Sequence, residues 1–268
     1  MRTIILTPDQ IHMGSLILVN RSHSCPELPR ETEPLREMEL LREMEPFREA
    51  HPPMEGMSSI RLLRRAAVLF AGLMDEIGGW EQIVPVSGYR SLEEQTSIWE
   101  DSLVKNGRAF TEAYVAFPGH SEHQTGLAID LAVKSDSIDF LCPDFPDSGI
   151  CRTFSKRAPE YGFIRRYPAG KESVTGIGHE PWHFRYVGTP HGEIMEQEGL
   201  TLEEYLLFLR DFPYGKRSFS FAKGKRQISV SWKKADKNGT TQVSVSNRLP
   251  YAVSGDNMDG FIITEWRD

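Results

Sequence analysis

GIGHEPWHFRYVG, residues 176–188, spells the zinc-protease string H-E-x-x-H with His179, Glu180 and His183. That string binds zinc on a helix, where positions i and i+4 share a face. Pro181 lies inside it. Proline removes a backbone donor, clashes with the preceding helical turn, and pushes Glu180 toward extended backbone. Beyond it, Trp182, Phe184 and Tyr186 alternate with His183, Arg185 and Val187, the texture of a strand. On a strand His179 and His183 stand about 13 Å apart, too far to share one zinc with nitrogen bonds near 2 Å. The stretch therefore predicts a strand, with His183 as a candidate ligand and His179 outside the metal set.

Partners for His183 lie upstream, in GHSEHQTGLAIDLAV, residues 119–133. Fully extended, His123 and Asp130 would be about 23 Å apart. Gly126 can bend the chain between them, so that a histidine on one arm and an aspartate on the next strand converge. Asp130 sits among apolar residues, where a charge is costly unless paired or bound to metal. Three protein ligands with an open fourth position make a catalytic zinc arrangement. Glu180 stands free as a general base for a zinc-activated water. Arg90, in SGYRS after a strand, can stabilise the oxyanion.

The remaining sequence sets bounds. The 268 residues are 39% hydrophobic and 26% charged, enough for one substantial core and an appendage. A net charge of −7 excludes nucleic acid as a partner. The first 20 residues lack a signal-peptide run and no window supports a membrane span, so a cytoplasmic location is expected. The odd set Cys25, Cys142 and Cys151 reads as reduced thiols, and Cys142 with Cys151 is a weak ligand pair.

Local patterns predict the elements. SLILVN (15–20) reads as a buried strand, and residues 27–55, with a six-residue near-repeat over 35–52, as a charged surface segment. A helix is expected from Ser58 or Ser59, through Leu62, Leu63, Ala66, Leu69, Phe70, Leu73 and Ile77, to Gly78–Gly79. Further expectations are a strand over 82–90, helices near 92–105 and 110–117, a strand at 126–133, a loop over 134–150, a helix near 150–159 and a strand at 163–167. Ser91 with Glu94, and Thr201 with Glu204, form capping boxes. After about residue 215 the pattern alternates and carries an Asn238–Gly239 hairpin signal. The expected fold is α+β: a small antiparallel sheet carrying the zinc site, flanked by helices, in residues 1–214, with a β-rich appendage over 215–268. The appendage's expected roles are packing, self-association or partner contact. His120, His179 and His191 read as exposed polar residues, and Trp232 and Trp266 as core.

In this order, SGYRS with Gln95, then SEHQTGLAID, then EPWH resembles the VanY/VanXY D,D-peptidases, over about residues 15–210. These belong to the lysostaphin, D-Ala-D-Ala and hedgehog-type metallopeptidase group. The resemblance implies zinc held by His123, Asp130 and His183, with Glu180 as catalytic base. It implies that Arg90 polarises the scissile carbonyl, that Ser121 and Gln95 hold the substrate's peptide and terminal carboxylate, and that Trp182 supports the site. It further implies hydrolysis of D-Ala-D-Ala ends, in the free dipeptide and in the pentapeptide precursor, contributing to glycopeptide resistance. The tail resembles the extension of the longer VanXY proteins of the VanG kind, and the 134–150 loop is a candidate for shaping substrate choice. Two other readings stay open: a zinc-stabilised binding module on the same scaffold, and the helical H-E-x-x-H protease. Preference between dipeptide and pentapeptide, activity on D-Ser or D-lactate ends, and oligomeric state are undecided by the sequence.

Overall fold

The computed structural model describes residues 1–26, 44–46, 60–237 and 239–267, and in it the HEPWH stretch opens a strand. The chain divides into two compact units, Val19–Glu196 and Met1–Leu18 with Gln197–Asp268. This division differs from a boundary at 214, because the first strand, β1 (Arg2–Leu6), pairs with a strand of the C-terminal region. The stretch 15–20 forms no ladder strand, although Leu16, Ile17, Leu18 and Val19 are buried as its apolar run demands.

The Val19–Glu196 unit contains β2 (Met44–Pro46), β3 (Arg61–Leu63), α1 (Arg64–Ile77), β4 (Ile83–Ser87), α2 (Leu92–Asn106), α3 (Arg108–Tyr114), β5 (Ala128–Val133), α4 (Gly149–Arg157), β6 (Phe163–Tyr167), α5 (Glu172–Thr175) and β7 (Glu180–Tyr186). Then follows α6 (His191–Glu198). Helix α1 starts later than its apolar spacing suggests. Leu62 and Leu63 belong to β3, which pairs with β2, and burial of both leucines satisfies either reading. Ser58, Ser59 and the 27–55 segment with its 35–52 repeat lie outside the described residues, except for the backbone of Met44–Pro46.

The central sheet has the order β4-β5-β7-β6, all antiparallel. On one face, Phe184 of β7 packs edge-on against Phe145 and Phe154, and Phe70 of α1 meets Phe154 and Phe163. Each such side chain contributes about 1.5–3 kcal/mol by leaving water. The cluster anchors β6 and β7 on that face and leaves the other face of the sheet for polar work. The capping box at α2 forms as read: Glu94 N–H donates to Ser91 Oγ at 3.1 Å, and Ser91 N–H donates to Glu94 Oε2 at 2.7 Å.

The second unit joins β1 to α7 (Leu202–Leu209), β8 (Phe219–Lys223), β9 (Arg226–Lys234), β10 (Thr241–Val245), β11 (Tyr251–Gly255) and β12 (Gly260–Arg267). Its larger sheet runs β11-β12-β9-β8. Asn238 of the Asn238–Gly239 signal lies outside the described residues, and the strands on either side of it, β9 and β10, belong to different sheets. Strand β9 is flanked on both edges by β8 and β12, so β10 pairs with β1 instead. Leu6, Val243, Val245, Phe261 and Ile263 form the core of this unit. The fold is the α+β architecture expected, with a β-rich C-terminal part. No helix among the described residues is long and apolar enough to cross a membrane.

Candidate metal centre

Asp130 of β5 and His183 of β7 are register partners. Opposed residues of an antiparallel pair leave the same face of the sheet with their Cβ atoms about 5 Å apart. Asp130 Oδ1 accordingly lies 3.0 Å from His183 Nδ1. His123 arrives from the short turn Glu122–Thr125, which Gly126 closes at φ 69°. That left-handed conformation suits glycine and reverses the chain into β5. His123 Nε2 then stands 3.1 Å from Asp130 Oδ2. One potential ligand atom from each of His123, Asp130 and His183 lies within 4.8 Å of the others, and all three residues are buried. This is the one such group among the described residues.

Glu180 precedes His183 by three residues, a spacing that sends side chains to opposite faces of an unbroken strand. The ladder is irregular here. Arg165 pairs with Phe184 and Tyr167 with Glu180, so two residues of β6 span four of β7. Irregularities of this kind re-aim side chains, and Glu180 Oε2 comes within 3.6 Å of His183 Nδ1. Arg90, just after β4, sits with Nη2 3.5 Å from Asp130 Oδ2, and its backbone N–H donates to the His123 carbonyl at 3.3 Å. Gly88 allows the close approach of the neighbouring chain: a Cβ there would lie 2.5 Å from the Arg61 carbonyl oxygen.

The same cleft is lined by Ser121, Gln95 and Trp182. Gln95 Nε2 donates to the Ala116 carbonyl at 2.7 Å, while its buried Oε1 has no hydrogen-bond partner among the described residues. His179 lies outside the three-ligand group, its Nδ1 hydrogen-bonded to the Tyr167 carbonyl at 3.0 Å. His120 Nδ1 pairs with the Asn20 carbonyl. His191 corrects the sequence reading, being buried rather than exposed. Cys142 and Cys151 are free thiols outside any ligand group, and burial pushes both up to about 11.

Sequence reasoning missed Glu122, Arg166 and Arg185. Glu122 Oε1 accepts from Arg166 Nε at 2.8 Å and from Arg185 Nη1 at 2.7 Å, and both arginines are fully buried. The signal was available, since arginines in the buried strand texture of FIRRY and WHFRY require a partner.

The electrostatics are those of a site that needs a cation. His123 Nδ1 is 2.6 Å from the Gly88 carbonyl, which can only accept, so this nitrogen carries the proton. Burial, with Arg90 adding to it, lowers the His123 pKa to about 4, so the ring is neutral and Nε2 is a bare lone pair facing a carboxylate. His123 Nε2 and Asp130 Oδ1 are both buried without a hydrogen-bond partner among the described residues. The His123 lone pair 3.1 Å from Asp130 Oδ2 in a buried site is an arrangement that a metal ion satisfies, so the donor set fits one. Burial opposes charge on His183, yet Asp130 and Glu122 outweigh it and hold the pKa up at about 9. Burial raises Glu180 to about 8, with Asp130 reinforcing the rise and His183 and Arg90 opposing it. Burial also works against ionised Asp130, but His123 and His183 keep it below the usual carboxylate range.

An α+β unit presenting such a group beside a poised carboxylate and a guanidinium meets what a metallopeptidase requires. The family model for VanY, D-alanyl-D-alanine carboxypeptidase, matches residues 63–189. The bifunctional D-Ala-D-Ala dipeptidase and carboxypeptidase VanXYC of Enterococcus gallinarum is 51% identical over 121 residues, 45% of this chain and 64% of that protein. The crystal structure of the vancomycin resistance D,D-dipeptidase VanXYg, in complex with a D-Ala-D-Ala phosphinate analogue, matches with TM-score 0.88 and 41% identity, covering 99% of each chain. A mutant of the D,D-pentapeptidase VanY from a VanB-type cassette, in complex with Zn(II), matches with TM-score 0.55 and 30% identity, over 72% of this chain and 98% of that one. The chain belongs to the VanY family of D-alanyl-D-alanine carboxypeptidases, and its likeness to VanXYg extends over 99% of its length.

Proposed function

We propose that this protein is a zinc-dependent D,D-peptidase that hydrolyses the terminal D-Ala-D-Ala bond of the free dipeptide, of the peptidoglycan pentapeptide precursor, or of both. In this role it contributes to glycopeptide resistance or to remodelling of cell-wall precursors. The observation that carries the proposal is the buried His123 Nε2 lone pair, without a hydrogen-bond partner among the described residues and 3.1 Å from Asp130 Oδ2, whose Oδ1 lies 3.0 Å from His183 Nδ1. Similarity to VanXYg, solved with a D-Ala-D-Ala analogue, supports the substrate class. His123, Asp130 and His183 would hold the zinc, which when bound supplies Lewis acidity and draws the pKa of water toward neutrality.

The chain's own residues do the rest. Glu180, at the cleft and 3.6 Å from His183, takes the proton of the attacking water and returns it to the leaving amine. Glu122 is unsuited to that task because one of its oxygens is committed to two arginines. Arg90 meets the negative charge that develops on the scissile carbonyl oxygen. Ser121 and Gln95 hold the substrate's peptide and terminal carboxylate, and Trp182 forms a wall beside the metal. Arg90 pairs with Asp130, and Arg166 and Arg185 with Glu122, so three guanidiniums more than balance these two carboxylates. A dication then leaves the cleft positive, which suits a substrate ending in a free carboxylate.

The test is release of D-Ala from D-Ala-D-Ala and from the pentapeptide precursor with zinc added, compared with Glu180→Gln. Release by the parent chain alone, at equal zinc content, supports the proposal. Equal zinc content with no release by either chain supports a zinc-stabilised binding module instead.

A further inference from the structure

Residues 216–237 carry eight Lys and Arg side chains and one acidic one, Asp236, in a chain whose net charge is −7. Charge is also divided between the two units. Met1–Leu18 with Gln197–Asp268 holds 12 basic and 10 acidic side chains, whereas Val19–Glu196 holds 19 and 28. Lys216, Arg217, Lys223, Lys225 and Arg226 are all exposed, in the turn before β8 and around the β8–β9 hairpin. Lys216, Arg217, Lys225 and Arg226 form no ion pair among the described residues. Strand β8 is an edge of its sheet, and charge guards an edge against unwanted pairing. That accounts for charge on β8, but not for like charges set against each other. Lys223 and Arg226 are register partners, and like charges directly opposite on a ladder destabilise it. Stability does not explain this placement; a partner of opposite charge does.

Apolar groups continue from these cations. Phe219 lies on the same sheet face as Lys223 and Arg226. It packs against Phe208 of α7 and against Phe212, with ring centroids 5.3 and 5.4 Å apart. Arg217 lies over the Phe212 ring at 4.6 Å. Leu207, next to Phe208 in α7, is 62% exposed. We propose that this face of the second unit docks on a membrane surface rich in anionic lipid, with the five cations meeting headgroup phosphates and Leu207 entering the acyl boundary. Clusters of about four to eight Lys and Arg beside apolar groups bind such surfaces, and each cation adds about fivefold to the affinity. Nucleic acid, the other common polyanion, fits less well. Single strands need ring faces on which bases stack, and here the rings are packed against one another and beneath Arg217. No residue of the three-ligand group takes part, so docking stands or falls apart from hydrolysis.

The test is co-sedimentation of the full-length chain, free of any affinity tag, with vesicles of equal parts phosphatidylglycerol and phosphatidylcholine, and with vesicles of phosphatidylcholine alone. Binding to the anionic vesicles only is expected. The triple variant Lys223→Gln, Lys225→Gln, Arg226→Gln should bind them about 100-fold more weakly, and Leu207→Gln about fivefold more weakly. No binding by the parent chain, equal binding to both kinds of vesicle, or a folded variant of either kind within about twofold of the parent overturns the proposal. Tighter binding of an oligouridylate RNA than of the anionic vesicles overturns it in favour of nucleic acid. Should the variants not fold, the parent chain decides alone. Raising salt from about 0.1 M to about 1 M shortens the screening length from about 10 Å to about 3 Å and should release it from the vesicles, and binding that survives overturns the proposal.

Discussion

Glu180 and His183, three residues apart on one strand, present their side chains to the same cleft, with Oε2 of the first 3.6 Å from Nδ1 of the second. An irregular β6–β7 ladder makes this possible. Glu180 is thereby next to the metal group without belonging to it. Replacing it by glutamine keeps shape and removes the proton acceptor. Turnover of D-Ala-D-Ala is expected to fall by about 100- to 10,000-fold, with bound zinc, measured by atomic absorption, unchanged. Loss of zinc from this variant would move Glu180 into the ligand set.

Metal content separates the strand reading of HEPWH from the helical one. Asp130→Ala removes a member of the three-ligand group and should strip zinc on dialysis. His179→Ala breaks only a hydrogen bond to the Tyr167 carbonyl and should retain it. Zinc supplied at about 100 times its Kd should stabilise the parent chain against denaturant by about 2.7 kcal/mol and leave Asp130→Ala unshifted. The reverse pattern would restore the helical protease.

Arg90 reaches the cleft beside Asp130 at 3.5 Å. If it meets charge formed only in the transition state, Arg90→Ala should lower kcat by about 100- to 1000-fold while KM changes little. Steady-state kinetics on the dipeptide check this. A large rise in KM with kcat intact would instead make Arg90 an anchor for ground-state substrate.

Burial lowers the pKa of His191 from 6.5 to about 3. Between those values the unfolded chain takes up a proton that the folded chain refuses, so this residue makes stability fall as pH drops through the window. The slope is at most about 1.4 kcal/mol per pH unit. Urea denaturation at pH 6 and pH 4.5 should show a smaller loss for His191→Gln than for the parent chain. Equal losses would show that His191 does not carry the linkage.

Most of the site was legible because its chemistry follows from local pattern. Pro181 forbade a helix, Gly126 supplied the bend, and Asp130 in an apolar strand demanded a partner. What escaped was long-range. Glu122 precedes His123 in sequence, but its arginines come from β6 and β7, and only the sheet order brings them together. The start of α1 was misread because Leu62 and Leu63 fit both a helical and a strand pattern. The partner of β10 was not legible either, because pairing depends on which strand edges are already taken, and both edges of β9 are.

The pairing of β1 with β10 sets residues 2–6 against residues 241–245. A ribosome makes residues 2–6 long before residues 241–245. The unit built from Val19–Glu196 is complete in sequence before β10 exists, and domains commonly fold as they emerge. The unit that holds the three-ligand group can therefore mature while β1 still waits for its mate, and the second unit closes only once translation has passed residue 245.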